Sequence, residues 1–276
     1  MEFFAGFSGG QFLFFYAIML VTSVAAALWI PAVLRPDGRR AKLTDLEEIA
    51  LLSGGAERHT TAVLSSLFAR DALDQAGKSK LIVTRQSIGD TDAERAVLNK
   101  VGDFTPKEAL ATLKPHAEQV EARLVRAGLL LDKGERNRLR WLAVVPFVVL
   151  FVIGLYRQQA GEAQGEPTGF LVMLLILTVL CALVRIFNGN PRTKGGNYAL
   201  RELEQQSSRL KRAPQQVEAG LAVAIFGTSV LVGTPWEPLH AVQRAGSGGG
   251  AEGSTDSGCS GGDSGCGGGG CGGCGG

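Results

Sequence analysis

The sequence predicts a mainly α-helical membrane protein: three transmembrane helices, a winged-helix-like cytoplasmic helical domain of two half-units, and a disordered Gly/Cys tail. Three observations predict it. Long charge-free apolar runs stand at both ends of a polar middle. That middle alternates amphipathic helical patterns with one strand-like run. Finally, about half of the residues from Gly246 onward are glycine, a low-complexity composition. The balance of 28 Lys and Arg against 26 Asp and Glu excludes a protein whose main business is coating nucleic acid. The apolar distribution excludes a simple soluble globular enzyme.

The chain divides into an N-terminal transmembrane helix (1–34), a cytoplasmic domain (35–140), a transmembrane hairpin (141–187), cytoplasmic or membrane-surface helices (188–243) and the tail (244–276). Phe3 to Leu34 holds no Lys, Arg, Asp or Glu. Its Phe12–Leu34 stretch is long enough for a hydrocarbon core that needs about 20 helical residues. A cleaved signal peptide is the rival, with Ala25, Ala26 and Ala27 as small residues, but Glu2 stands where a basic n-region belongs. Trp141–Tyr156 is short for a span, and Arg138, Arg140 and Arg157 extend its reach by snorkelling. Gly169–Val184 is the third run and ends at Arg185. A short polar loop with Glu162, Glu166 and Pro167 makes the last two spans a hairpin.

Basic residues set the orientation. Arg35, Arg39, Arg40 and Lys42 follow the first span; Lys133, Arg136, Arg138 and Arg140 precede the second; Arg185, Arg192 and Lys194 close the third. This places the N-terminus outside a plasma (inner) membrane and residues 35–140 and the tail in the cytoplasm. Ala219–Gly233 is apolar, has three glycines and is ended by Pro235 and Pro238. It is short for a span, so a membrane-surface helix, a re-entrant helix or one packed on the hairpin is expected, with a fourth span as the alternative.

In the middle, Lys42–Gly134 carries 13 Lys and Arg and 14 Asp and Glu. Thr44 with Glu47 predicts a helix N-cap, and Gly54-Gly55 its stop. Thr60–Leu73 follows as a second helix, and Lys80–Thr84 as a strand. This helix–helix–strand order suggests a winged-helix core. Ala93–Val101 is a further helix capped near Asp92, and Thr105-Pro106-Lys107-Glu108 starts another that Pro115 breaks or restarts. Leu67–Leu73 resembles Leu124–Leu130, which reads as two half-units. Neither long helix has a basic face, so nucleic acid is disfavoured and protein docking preferred.

No phosphate-cradling glycine loop followed by Lys-Ser/Thr occurs, and no Gly-x-Gly-x-x-Gly opens a helix after a strand in the folded region. Gly262-Asp263-Ser264-Gly265 matches a protease loop only superficially. His59, His116 and His240 share no ligand spacing and read as solvated surface residues. The candidate metal residues are Cys259, Cys266, Cys271 and Cys274, four thiols able to hold Zn²⁺ or Cu(I), although the usual paired knuckles are missing. The same cysteines are alternatively targets of a modifying enzyme, or incidental in an inert linker. Cys181 reads as a packing residue.

The chain resembles an uncharacterised bacterial multi-pass membrane-protein family with a Gly/Cys-rich C-terminal tail. The resemblance rests on Asp45–Gly55, Glu94–Leu98, Leu124–Leu130 and the tail. It implies this architecture without an assigned activity. Some members are thought to sit beside multinuclear iron oxidases that modify cysteine in peptides, which would make the four tail cysteines targets. The first expectation is therefore a non-enzymatic scaffold. Its partners are the lipid bilayer, a protein docked at the cytoplasmic domain and a cysteine-modifying enzyme acting on the tail. The alternatives are a membrane-tethered winged-helix DNA-binding regulator and an anchor with an inert tail.

Overall fold

The computed structural model describes residues 9–39, 42–163, 169–187, 189–212 and 214–246. In chain order the helices are α1 (Gly9–Leu34), α2 (Leu46–Ala69), α3 (Asp92–Leu98), α4 (Pro106–Arg126), α5 (Lys133–Ala163), α6 (Gly169–Phe187), α7 (Lys194–Gln206), α8 (Ala219–Phe226) and α9 (Glu237–Gly246). The strands are β1 (Leu73–Gln75), β2 (Leu81–Val83) and β3 (Asp103–Phe104).

Backbone in hydrocarbon has to satisfy its own polar groups, which makes long apolar runs helical. Three helices are long and apolar enough to cross a membrane: Gln11–Leu34, Lys133–Gln159 and Gly169–Phe187. The short run at Trp141–Tyr156 gains its length because α5 continues through the basic turns before it. The three pack around Phe12, Tyr16, Leu20, Phe147, Leu150 and Leu175, while Phe14, Val21, Val148 and Met173 point outward. Lipid tails are as apolar as these side chains, so close backbone approach holds such a bundle together. Gly154 supplies it: a Cβ there would stand 2.7 Å from Leu175 Cδ2 and 3.0 Å from Tyr16 Cε2. Polar contacts also cross the bundle, among them Tyr16 Oη to Thr178 Oγ1 at 3.1 Å.

The extramembrane unit is built on α2. Its N-cap is Asp45, whose carboxylate accepts from the Glu47 N–H at 3.2 Å, one residue after the expected Thr44. The expected stop at Gly54-Gly55 is a break in which Gly55 turns left-handed (φ +71) and the helix resumes. Thr105 and Glu108 close a capping box with Pro106 in the first turn of α4. Pro115 does not break this helix; it lies inside one continuous element. The expected strand at Lys80–Thr84 is β2, the centre of an antiparallel sheet in the order β1-β2-β3, with Leu81 opposite Gln75 on one side and Phe104 on the other. The flanking strands are too short to show alternation in sequence.

The likeness of Leu67–Leu73 to Leu124–Leu130 has a local cause. Both segments end a helix with the same cap. The Ala72 N–H reaches back to Leu67 and the Leu129 N–H to Leu124, each at 3.0 Å. The residue before each, Asp71 (φ 56) and Gly128 (φ 75), is left-handed.

Ala219–Gly233 does not pack on the hairpin. Its helical part, α8, is buried between α2 and the rest of the extramembrane core, with Ala219, Ala222, Val223 and Ala224 fully enclosed. A short helix that is apolar all round needs cover on every side, and its small residues let it sit close to α2. Residues from 35–140 and 188–243 thus share two hydrophobic clusters, one around Ile49, Leu52, Leu124 and Leu200, the other around Leu67 and Val223.

The chain passes between bundle and extramembrane unit three times, and the three crossings are laced together. The Gly195 N–H donates to the Asp37 carbonyl (2.7 Å), Arg39 to Gly128 (3.3 Å), Thr193 to Leu129 (3.0 Å) and Leu131 to Pro191 (2.9 Å). Gly195 and Gly196 leave no room for a side chain against the Arg39 and Leu129 carbonyls. Beside them Arg192 reaches into the break of α2. Its Nε donates to the Leu52 carbonyl at 2.6 Å and its terminal nitrogen to that of Ser53. These are carbonyls that the interrupted helix leaves without partners.

Candidate functional site

An open cleft of about 290 Å³ lies where the start of α2, the start of α3 and the middle of α4 meet. Three turn features place its polar groups. Asp45 caps α2, Thr91 caps α3, and Asp90 is held in the turn by the Glu94 carboxylate, which accepts from its backbone N–H at 2.9 Å. His116, Gln119 and Arg123 reach the cleft from one face of α4.

Four carboxylates, Asp45, Glu47, Asp90 and Asp92, line it against the guanidinium groups of Arg95 and Arg123. Arg95 lies 3.2 Å from Asp92, and Arg123 3.9 Å from Asp45. From beneath, Arg70 pairs with Asp90 at 2.6 Å and with the buried Glu94. Glu47 forms part of the cleft wall and is itself almost fully buried. Its Oε2 stands 3.2 Å from His59 Nε2, and His59 is completely enclosed (0 % exposed). The hydrogen bond from His59 holds the Glu47 carboxyl below the ordinary carboxylate range, outweighing the opposite effect of burial. Glu47 is therefore ionised at neutral pH and accepts rather than donates. The Thr91 hydroxyl accepts from the Glu94 N–H, and its own hydrogen bond to Glu47 helps hold that carboxyl down. Among the described residues, no Ser, Cys or Lys lines the cleft. The arrangement offers fixed negative charge and hydrogen-bond acceptors to a polar or cationic surface.

The histidine expectation needs correction. His59 is a buried partner of Glu47; His116 lines the cleft; His240 Nδ1 lies 3.0 Å from Thr228 Oγ1. The proposed metal residues Cys259, Cys266, Cys271 and Cys274 lie outside the described residues. Among the described residues no three His, Cys, Asp or Glu side chains come together as a metal site. Cys181 packs, half-buried, within the membrane bundle. Sequence reasoning missed the cleft. Its only trace in the sequence is the pair of carboxylates flanking Thr91, a pattern that many loops share.

Comparison with protein-family models, with curated proteins and with solved structures finds no match to this chain.

Proposed function

We propose that the protein is a non-enzymatic scaffold of the bacterial inner membrane. Its extramembrane unit docks a protein partner through the carboxylate-lined cleft, and its tail presents Cys259, Cys266, Cys271 and Cys274 for modification or for Zn²⁺ or Cu(I). The N-terminus lies outside and residues 35–140 in the cytoplasm, following the basic flanks of the spans. The cleft carries the proposal: it is open, polar and rich in carboxylates, and it is held by capped helix ends that keep its charges in place. The partner that fits presents Lys or Arg side chains. The winged-helix-like character belongs to the same proposal. The antiparallel β-strands between helices support it, and the shared cap geometry supports the two half-units. The DNA-binding alternative is weaker, because the cleft carries more acidic than basic groups and a phosphate backbone would be repelled there.

A photocrosslinker at Gln119, in the full chain in its host membrane, tests docking. A discrete adduct that disappears in the double variant Asp90→Lys/Asp92→Lys supports it. No adduct, or one indifferent to the charge reversal, counts against it. Intact-mass measurement of the purified chain tests the tail. A shift that survives denaturation and vanishes when the four cysteines are serine marks modification. A shift lost with chelator marks metal, and an unshifted mass returns the tail to an inert linker.

A further inference from the structure

Where the membrane bundle meets the extramembrane unit, a pocket is lined by arginines from three different helix ends. Arg35 follows α1, Arg136 and Arg140 stand in the first turns of α5, and Arg185 in the last turn of α6. Among the described residues, no Asp or Glu lines it. Basic residues that merely flank spans extend separately into water, but these turn toward one another. Arg136 has a carboxylate in reach outside the pocket, Glu121 at 3.9 Å, and Arg185 Nε donates to the Ala27 carbonyl at 3.0 Å. Arg35 has one long contact, to the Asn190 carbonyl at 3.5 Å. Among the described residues, no acceptor meets the enclosed Nε groups of Arg35 and Arg140. Arg140 lies against bare backbone: its Nε is 3.0 Å from where a Cβ of Gly189 would stand. Burial, and after it the neighbouring Arg185, lower the Arg35 pKa.

Enclosed guanidinium N–H groups without acceptors are costly, and converging cations add repulsion. A phosphate relieves both, because its oxygens accept from planar guanidinium forks and its charge neutralises them. The site also lies at the ends of all three spans, level with lipid headgroups. We propose that the Arg35–Arg140–Arg185 pocket binds a phosphate group at this membrane face, either as the phosphodiester of an anionic lipid headgroup or as free phosphate.

Native mass spectrometry of the full chain in detergent, titrated with phosphatidylglycerol, phosphatidylcholine or inorganic phosphate, tests this. The wild type is expected to retain phosphatidylglycerol roughly tenfold better than phosphatidylcholine. Arg35→Gln/Arg140→Gln should lose that preference, while Arg138→Gln, on the exposed side of the same turn, should keep it. Displacement of the lipid by millimolar inorganic phosphate, with the same arginine dependence, identifies free phosphate as the occupant; persistence of the lipid identifies the headgroup. Equal retention of the two lipids by the wild type, or an unchanged preference in Arg35→Gln/Arg140→Gln, overturns the proposal. If that variant does not purify folded, Arg35→Lys/Arg140→Lys decides. It keeps the charge but loses the forks, so a clearly reduced preference supports the site and an unchanged one overturns it.

Discussion

Replacing Arg192 by alanine removes the groups that close the broken middle of α2. The guanidinium donates to the Leu52 carbonyl at 2.6 Å and to the Ser53 carbonyl, both left over by the interruption at Gly54-Gly55. Hydrogen bonds to a charged group contribute about 1.5–3 kcal/mol each, and an abandoned carbonyl adds its own desolvation cost. Water entering the gap recovers part of this, so a loss of about 3 kcal/mol is expected. In a domain of this size that is a fall in Tm on the order of 10 °C. Arg192→Lys keeps a cation but cannot reach both carbonyls in one plane, and should lose about half as much. The assay is thermal unfolding of the full chain in detergent, with amide exchange followed at Ala56–Arg58 and in the first turn of α7. Those amides should lose protection in Arg192→Ala before the membrane helices do. A loss below about 0.5 kcal/mol with unchanged exchange at the break would refute the capping role.

Gly196→Ala should destabilise the junction by about 1–3 kcal/mol in the same unfolding assay, because its methyl group meets the Leu129 carbonyl. Gly154→Leu should separate the membrane helices and lower the bundle's unfolding midpoint in detergent, since Leu175 and Tyr16 already occupy that space. Tyr16→Phe should cost about 0.6 kcal/mol, the usual worth of a hydrogen bond between membrane helices. Glu47 has a lowered pKa in the folded state, so its contribution is present above the ordinary carboxylate range and is lost as pH falls through and below that range. Acid unfolding profiles should therefore be flatter in Glu47→Gln than in the wild type.

The three membrane-length helices were legible because absence of charge over such a length has few other causes. The capping box at Thr105 and the break at Gly54-Gly55 were legible because the residue types themselves produce the geometry. The position of α8 was not. Ala219–Phe226 is apolar on every side, a property that a membrane and a protein core demand equally, and the small residues that fit it against α2 carry no partner's address. His59 was misplaced for a related reason: its partner Glu47 lies across the break in α2, and only the bend brings the two together. The arginines at the bundle end were each visible as flanks, but their convergence depends on how three helices pack. The cleft is built from turns far apart in sequence and left almost no pattern to find.

The lacing of the three crossings has a consequence for how the chain comes into being. The slot on α2 that α8 fills stays open until the segment beyond α6 has been synthesised, and that segment emerges only after both strokes of the hairpin. During translation the apolar seam on α2 stays uncovered while α5 and α6 are made. In chain order both membrane-length helices of the hairpin are therefore made before the core can be completed, and a chain cut short after α6 would lack the segment that fills the slot on α2.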